Sequence, residues 1–215
     1  PCPRPLAFSE KRSRGLLCDS CLITQSLAPA LPLHEYLRGG SVAAAQKRRI
    51  IETLAQLVAT LHGHNIYYRD LHAGNILVRA AADGNAELFC VDLHRALALP
   101  VLFEWMAVND LAQLCNSLPA ARTDGIRFLK TYCDSRPRTA GLFHRLQKKI
   151  AARRLRLEER RIRSRSKRCV KNSTVFETRR SWHETYYGRR DFGGSAARAA
   201  VALHVARRAG SGGTI

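Results

Sequence analysis

Three oxygen-bearing side chains stand at spacings that suit phosphoryl transfer. They lie in and after the run Tyr68-Arg69-Asp70-Leu71-His72-Ala73-Gly74-Asn75. A carboxylate at the start of such a loop can orient an attacking hydroxyl and take its proton, and five residues on the Asn75 amide oxygen can reach a magnesium ion on nucleotide phosphates. Asp92 follows the apolar run 88–91, seventeen residues beyond Asn75, and supplies a second carboxylate for metal. Phosphoryl transfer is mostly positioning and charge neutralisation, so Asp70, Asn75 and Asp92 form a minimum set for it. His72 reads equally as a satisfied loop histidine and as a group that braces the loop or meets substrate. Asp110, in Asn109-Asp110-Leu111-Ala112, reads either as a helix N-cap or as a buried carboxylate bracing the loop backbone.

The elements around the loop must hold these groups in place. Ile50, Ile51, Leu54, Leu57, Val58 and Leu61 recur at spacings of three and four, which predicts an amphipathic helix with Ser41 as N-cap and Gly63 at its stop. Residues 75–78 and 87–91 predict two strands of a hairpin, with Asp83-Gly84-Asn85 between them. Helical periodicity returns near 105–118, at 126–132 and from Leu142 onward, where the pattern turns nearly polar all round beyond Ile150. Ahead of the long helix, residues 1–28 read as extended structure. Pro29 and Pro32 mark a loop, and residues 34–38 form a short helix ended by Gly39-Gly40.

The hydrophobic share of 46% over 215 residues is enough for a core and argues against global disorder. No run nears eighteen consecutive apolar residues, and no secretory leader is visible. Seven cysteines include a lone pair at Cys18 and Cys21 without a second pair at zinc spacing, so they read as reduced thiols. The net charge of +19 is uneven: residues 145–190 carry 17 Lys/Arg against 4 Glu, while residues 1–144 carry 16 against 12 acidic residues. Such concentration points to a polyanionic partner. No zinc-finger, helix-turn-helix or RNP signature accompanies it, which disfavours a dedicated nucleic-acid-binding protein.

The residues now carry a resemblance. Tyr68 to Asn75 matches the kinase catalytic loop at each fixed position but the first, where Tyr68 replaces the usual His. With Ile76-Leu77-Val78, Val91-Asp92-Leu93-His94-Arg95 and Asn109 to Leu114, it resembles the lipopolysaccharide core (heptose/Kdo) kinase family. Pro3 to Phe8 and Leu22 to Gln25 are similar to that family's strand before the hinge between its two lobes, and similarity runs from about residue 3 to 176. The resemblance implies an α+β, protein-kinase-like fold: a mostly helical C-lobe with a short β-hairpin and a remnant of N-lobe strands. The implied division is 1–28 (strands and hinge), 29–150 (C-lobe), 151–194 (basic extension) and 195–215 (flexible tail).

It further implies an ATP-dependent phosphotransferase acting on a sugar hydroxyl of lipopolysaccharide core or a similar glycolipid. Asp70, with Arg69 and His72, is the expected catalytic group. Asn75 and Asp92 are expected to hold Mg²⁺, and the hinge residues Thr24, Gln25 and Leu27 to meet ATP. Expected partners are a glycolipid or sugar acceptor and an anionic membrane surface rather than nucleic acid. The expected place is the bacterial cytoplasm, with peripheral attachment to the inner face of the inner membrane as a further option. Asp92-Leu93-His94 in place of Asp-Phe-Gly, with no Ala-Pro-Glu element after it, disfavours peptide substrates. No Gly-rich loop or nucleotide lysine precedes Tyr68, and Lys11 stands too close to the hinge, so the chain is expected to be N-terminally truncated relative to that family. The rival reading is an inactive pseudokinase-like module that binds an anionic membrane or nucleic acid through its basic arm.

Overall fold

The computed structural model describes residues 1–39, 42–80, 86–136, 141–180, 182, 185–191, 199 and 203. The chain divides into two compact units, Pro1–Leu155 and Arg156–Ile215. The first opens with an antiparallel hairpin, β1 (Pro5–Ser13) and β2 (Leu16–Thr24). Arg14 (φ 50) and Gly15 (φ 80) make its turn, because positive φ at both central residues matches the twist of the flanking strands. The residues read as extended thus form one hairpin, and every residue of its strands is exposed.

β3 (Leu31–Pro32) leads into α1 (Leu33–Arg38), which ends at Gly39, whose N–H donates to the Glu35 carbonyl at 3.1 Å. Gly40 lies outside the described residues. α2 (Ala44–Gly63) buries Ile50, Ile51, Leu54, Leu57 and Val58, the stripe its period requires. Its start differs from expectation. Ala43, in an extended conformation, holds the N-cap position without a side-chain hydrogen bond, two residues beyond the expected Ser41; Ser41 lies outside the described residues. At the other end Gly63 is the last helical residue, and Asn65 (φ 56) takes the left-handed conformation that redirects the chain.

β4 (Ile66–Tyr67) precedes the loop, and β5 (Ile76–Ala80) and β6 (Ala86–Cys90) follow it. β5 and β6 pair antiparallel in the register Ile76↔Cys90 and Val78↔Leu88, and these four side chains are buried. The hairpin expected from the sequence is therefore present, although Asp83-Gly84-Asn85 lies outside the described residues. β3 pairs on the far edge of β5. A single 3-10 turn at Leu93–Arg95 leads to β7 (Leu97–Ala98), which returns antiparallel to β4.

Three helices complete the fold: α3 (Glu104–Ser117), α4 (Arg122–Asp134) and α5 (Leu142–Cys169). α4 packs on α2 through Phe128, Leu129 and Tyr132, and Leu111 and Leu114 of α3 are fully buried. The buried residues of α5 are Leu146 and Ile150, in keeping with its polar sequence beyond. At the start of α4 the Ala121 N–H donates to the Asp124 carboxylate at 3.3 Å, and Lys47 pairs with the same oxygen at 2.9 Å.

The second unit contains the end of α5 and a further hairpin, β8 (Phe176–Arg180) and β9 (Thr185–Arg189). Sequence reading did not anticipate these strands. Apart from Ala199 and Leu203, the expected tail at 195–215 lies outside the described residues. All seven cysteines are free thiols. Among the described residues no helix is long and apolar enough to cross a membrane.

Candidate active site

The loop 68–75 has no regular secondary structure, so its backbone groups need partners from elsewhere. Asp110 provides them. It sits in the interior of α3 with no exposed surface, and its carboxylate accepts the N–H groups of Tyr68 (2.8 Å) and Arg69 (3.0 Å). The N-cap alternative fails because α3 starts at Glu104. The carboxylate is thus turned sideways onto the loop instead of along its own helix. Two more α3 side chains join it: Gln113 Nε2 donates to the Arg69 carbonyl at 2.9 Å, and Ser117 Oγ accepts the Ala73 N–H at 2.8 Å. Arg69 adopts φ 69, a left-handed conformation that a non-glycine residue holds only when its surroundings fix it.

His72 turns back on its own loop, where Nδ1 accepts the Gly74 N–H at 3.0 Å. A Cβ at position 74 would stand 2.9 Å from that imidazole, so a larger residue there would push the ring out of its present place.

Tyr68 is buried, and its hydroxyl meets two carbonyls. It donates to the Val91 oxygen and lies 3.3 Å from the Asn75 oxygen. Burial first, and then the neighbouring Cys90, Asp92, Asp70 and Asp110, push its phenol pKa well above the ordinary value, so the group stays a donor. The Val91 N–H also donates to the Asn75 carbonyl at 3.0 Å. The loop and the exit of β6 are therefore joined twice, by the Asn75 carbonyl and by the Tyr68 hydroxyl.

On this scaffold the Asp70 carbonyl accepts Asn75 Nδ2 at 3.1 Å, which engages the amide nitrogen and leaves its oxygen for other partners. The Asp70 carboxylate lies 3.3 Å from Arg95 Nη1. Asp92 adopts a left-handed conformation (φ 61, ψ 52) directly after β6, with a half-exposed carboxylate contacted by His94 Nδ1. An amide oxygen and a carboxylate are hard donors of the kind magnesium takes together with phosphate and water, so these residues fit that ion. Arg69 itself is exposed. Thr24 and Gln25 are exposed at the open end of the first hairpin, and Leu27 is buried. Among the described residues no hydrogen bond ties these three to the loop. The start of the chain does reach β6, since the Cys90 N–H donates to the Pro1 carbonyl at 2.9 Å.

Several supporting residues escaped sequence reading. Buried His62 bonds the Tyr132 hydroxyl through Nδ1 at 2.8 Å and places Nε2 3.5 Å from Asp110. Asn109 donates to the Tyr67 hydroxyl at 3.0 Å and accepts from Arg153 Nε at 2.9 Å. The Arg95 contact with Asp70 was likewise unforeseen, although the run Asp92 to Arg95 stood out. A cavity of about 440 Å³, bordered by Ile51, Leu118, Phe128 and Ile150, shares no residue with the loop.

The chain matches the model of the lipopolysaccharide kinase (Kdo/WaaP) family over residues 1–132. It is also similar to the solved structure of WaaP in complex with acyl carrier protein, at 26% identity and a TM-score of 0.55, covering 70% of this chain and 68% of that one. No curated protein sequence matches it. The family match contains the whole loop, Asp92 and Asp110, and the mixture of helices with small sheets is that of a protein-kinase-like fold. More than half of the sequence lies within that match, and the chain belongs to the lipopolysaccharide kinase (Kdo/WaaP) family, a family of kinases.

Proposed function

We propose that the chain transfers the γ-phosphoryl group of ATP to a sugar hydroxyl of lipopolysaccharide core or of a similar glycolipid. The observation that carries this reading is the double tie of the loop to Val91, through the Asn75 carbonyl and the Tyr68 hydroxyl, which braces the backbone on which Asp70, Asn75 and Asp92 stand. Asp70 orients the acceptor hydroxyl and takes its proton as the new O–P bond forms and the bond to the ADP oxygen breaks. Asn75 and Asp92 hold Mg²⁺, which neutralises phosphate charge when bound.

Arg69 positions Asp70 through its fixed backbone, and His72 holds the turn at Gly74. Arg95, beside the Asp70 carboxylate, keeps that group aimed. Thr24, Gln25 and Leu27 supply the surface for adenine. ATP is a cytoplasmic co-substrate, so the reaction belongs in that compartment.

The test is transfer from γ-labelled ATP to dephosphorylated lipopolysaccharide core, with calorimetry of Mg·ATP alongside. Asp70→Asn is expected to lower transfer by about 10²–10⁴-fold and to keep Mg·ATP binding, whereas Asp92→Ala loses that binding. A chain that binds Mg·ATP and transfers nothing would be a binding module instead. Unchanged Mg·ATP binding in Asp92→Ala would remove Asp92 from the metal site.

A further inference from the structure

The unit Arg156–Ile215 contributes none of the residues above and lies beyond the family match, which ends at residue 132. From Arg160 to Lys171 the chain holds seven Lys/Arg and no Asp or Glu. Arg160, Arg163, Lys167, Arg168 and Lys171, with Ser164, line one open groove. Among the described residues none of these five cations forms an ion pair with a carboxylate; the ion pair seen on this stretch joins Arg161 and Glu158 at 3.9 Å. Like charges four apart on a helix repel, so the arrangement lowers helix stability unless an outside anion neutralises it.

The hairpin of the same unit adds an independent observation. Trp182, on the connection between β8 and β9, is 98% exposed and follows Arg179 and Arg180. An indole wholly in water forgoes a large gain from burial. Tryptophan and basic side chains find their partners together at the headgroup level of a bilayer. A nucleic acid would also take the cations; the choice of lipid rests on the proposed function, whose acceptor is a membrane glycolipid.

We infer that this unit is a membrane-docking arm, in which the cationic groove of α5 receives anionic phospholipid headgroups and Trp182 enters the interface. The test uses the full chain without ATP or acceptor, so its failure is distinct from a failure of phosphotransfer. Vesicles of phosphatidylglycerol and phosphatidylcholine in equal parts are compared with phosphatidylcholine alone. Sedimentation with the anionic vesicles only is expected, weakening with salt. Each near-surface cation is worth roughly fivefold, so Arg163→Glu with Lys167→Glu lowers binding by at least about 25-fold. In a Trp105→Phe background, Trp182 emission shifts to the blue on those vesicles. Trp182→Ser weakens binding several-fold with an unchanged circular dichroism spectrum. Absence of binding, equal binding to neutral vesicles, or anionic binding with unmoved Trp182 emission would overturn the inference. A single-stranded RNA that displaces the vesicles and itself shifts Trp182 would also overturn it, in favour of nucleic acid.

Discussion

The loop 68–75 and the hairpin of β1 and β2 solve opposite problems. The hairpin is regular, pairs its two strands with each other alone among the described residues, and leaves Leu6, Phe8, Leu16, Leu17, Leu22 and Ile23 more than half exposed. The loop is irregular, yet Asp110, Gln113 and Ser117 hold its backbone from α3, and Tyr68, Leu71 and Ala73 are buried beneath it. Regular secondary structure is therefore a poor guide to what is fixed in this molecule. A segment is held where its polar backbone depends on distant side chains and its apolar groups reach the core.

The contrast breaks most readily at Asp110. Asp110→Ala leaves the buried Tyr68 N–H and the partly buried Arg69 N–H without acceptors and is expected to cost about 3–5 kcal/mol in urea unfolding. A loss under about 1 kcal/mol would mean that the loop is held by something else. Leu54→Ala, fully buried in α2, should cost about 2–5 kcal/mol. Tyr68→Phe keeps the ring and removes the hydroxyl. We expect about 1–2 kcal/mol of lost stability and a fall in kcat of as much as ~100-fold, because small displacements of reacting groups are costly. Wild-type kcat in that variant would show that the tie between loop and strand is dispensable for phosphotransfer.

Titration sharpens the same comparison. Burial, the largest influence on Tyr132, raises its phenol to about 12. Because the folded value lies above the ordinary one near 10, this contribution to stability is complete below pH 10 and fades as pH rises toward 12. Tyr132→Phe should flatten that alkaline fall, read as thermal midpoint against pH. For Asp124, burial acts to raise the carboxyl, but Lys47, the Ala121 N–H and Arg127 together hold it below the ordinary value. Its contribution is present above that ordinary value and is lost as pH falls through the depressed one. Asp124→Asn should remove this acid dependence and cost about 1 kcal/mol. The smallest effect is expected in the hairpin, where Phe8→Ser should change stability by no more than about 0.5 kcal/mol. A cost near that of Leu54→Ala would show the hairpin to be anchored after all.

What was legible in the sequence was local. The stripe of α2 and the paired strands after the loop each lie within a short window, and each led to the right element; the spacing of Asp70, Asn75 and Asp92 is equally local and led to the candidate site. For Asp110 two roles stood open, a helix N-cap by residue type and a brace of the loop backbone as in the corresponding helix of kinases. The partners of the loop were not legible. Gln113 and Ser117 act on residues 44 positions away, and His62 meets Tyr132 across 70; nothing in their own neighbourhoods separates them from surface residues. Gly74 stood in the motif without a reason of its own; the approach of the His72 ring supplies one. β8 and β9 were missed because Phe-Glu-Thr-Arg-Arg and Thr-Tyr-Tyr-Gly-Arg give no fully buried face to betray a strand.

At position 68 a phenol stands where the family pattern has an imidazole, and the hydroxyl at its far end reaches both the Asn75 and Val91 carbonyls. Side-chain length there acts as a spacer. It sets the gap between two backbone turns, each carrying one of the proposed magnesium ligands. A side chain too short to reach the Val91 carbonyl would leave that oxygen without the phenol as its donor and the strand exit held to the loop by one hydrogen bond fewer.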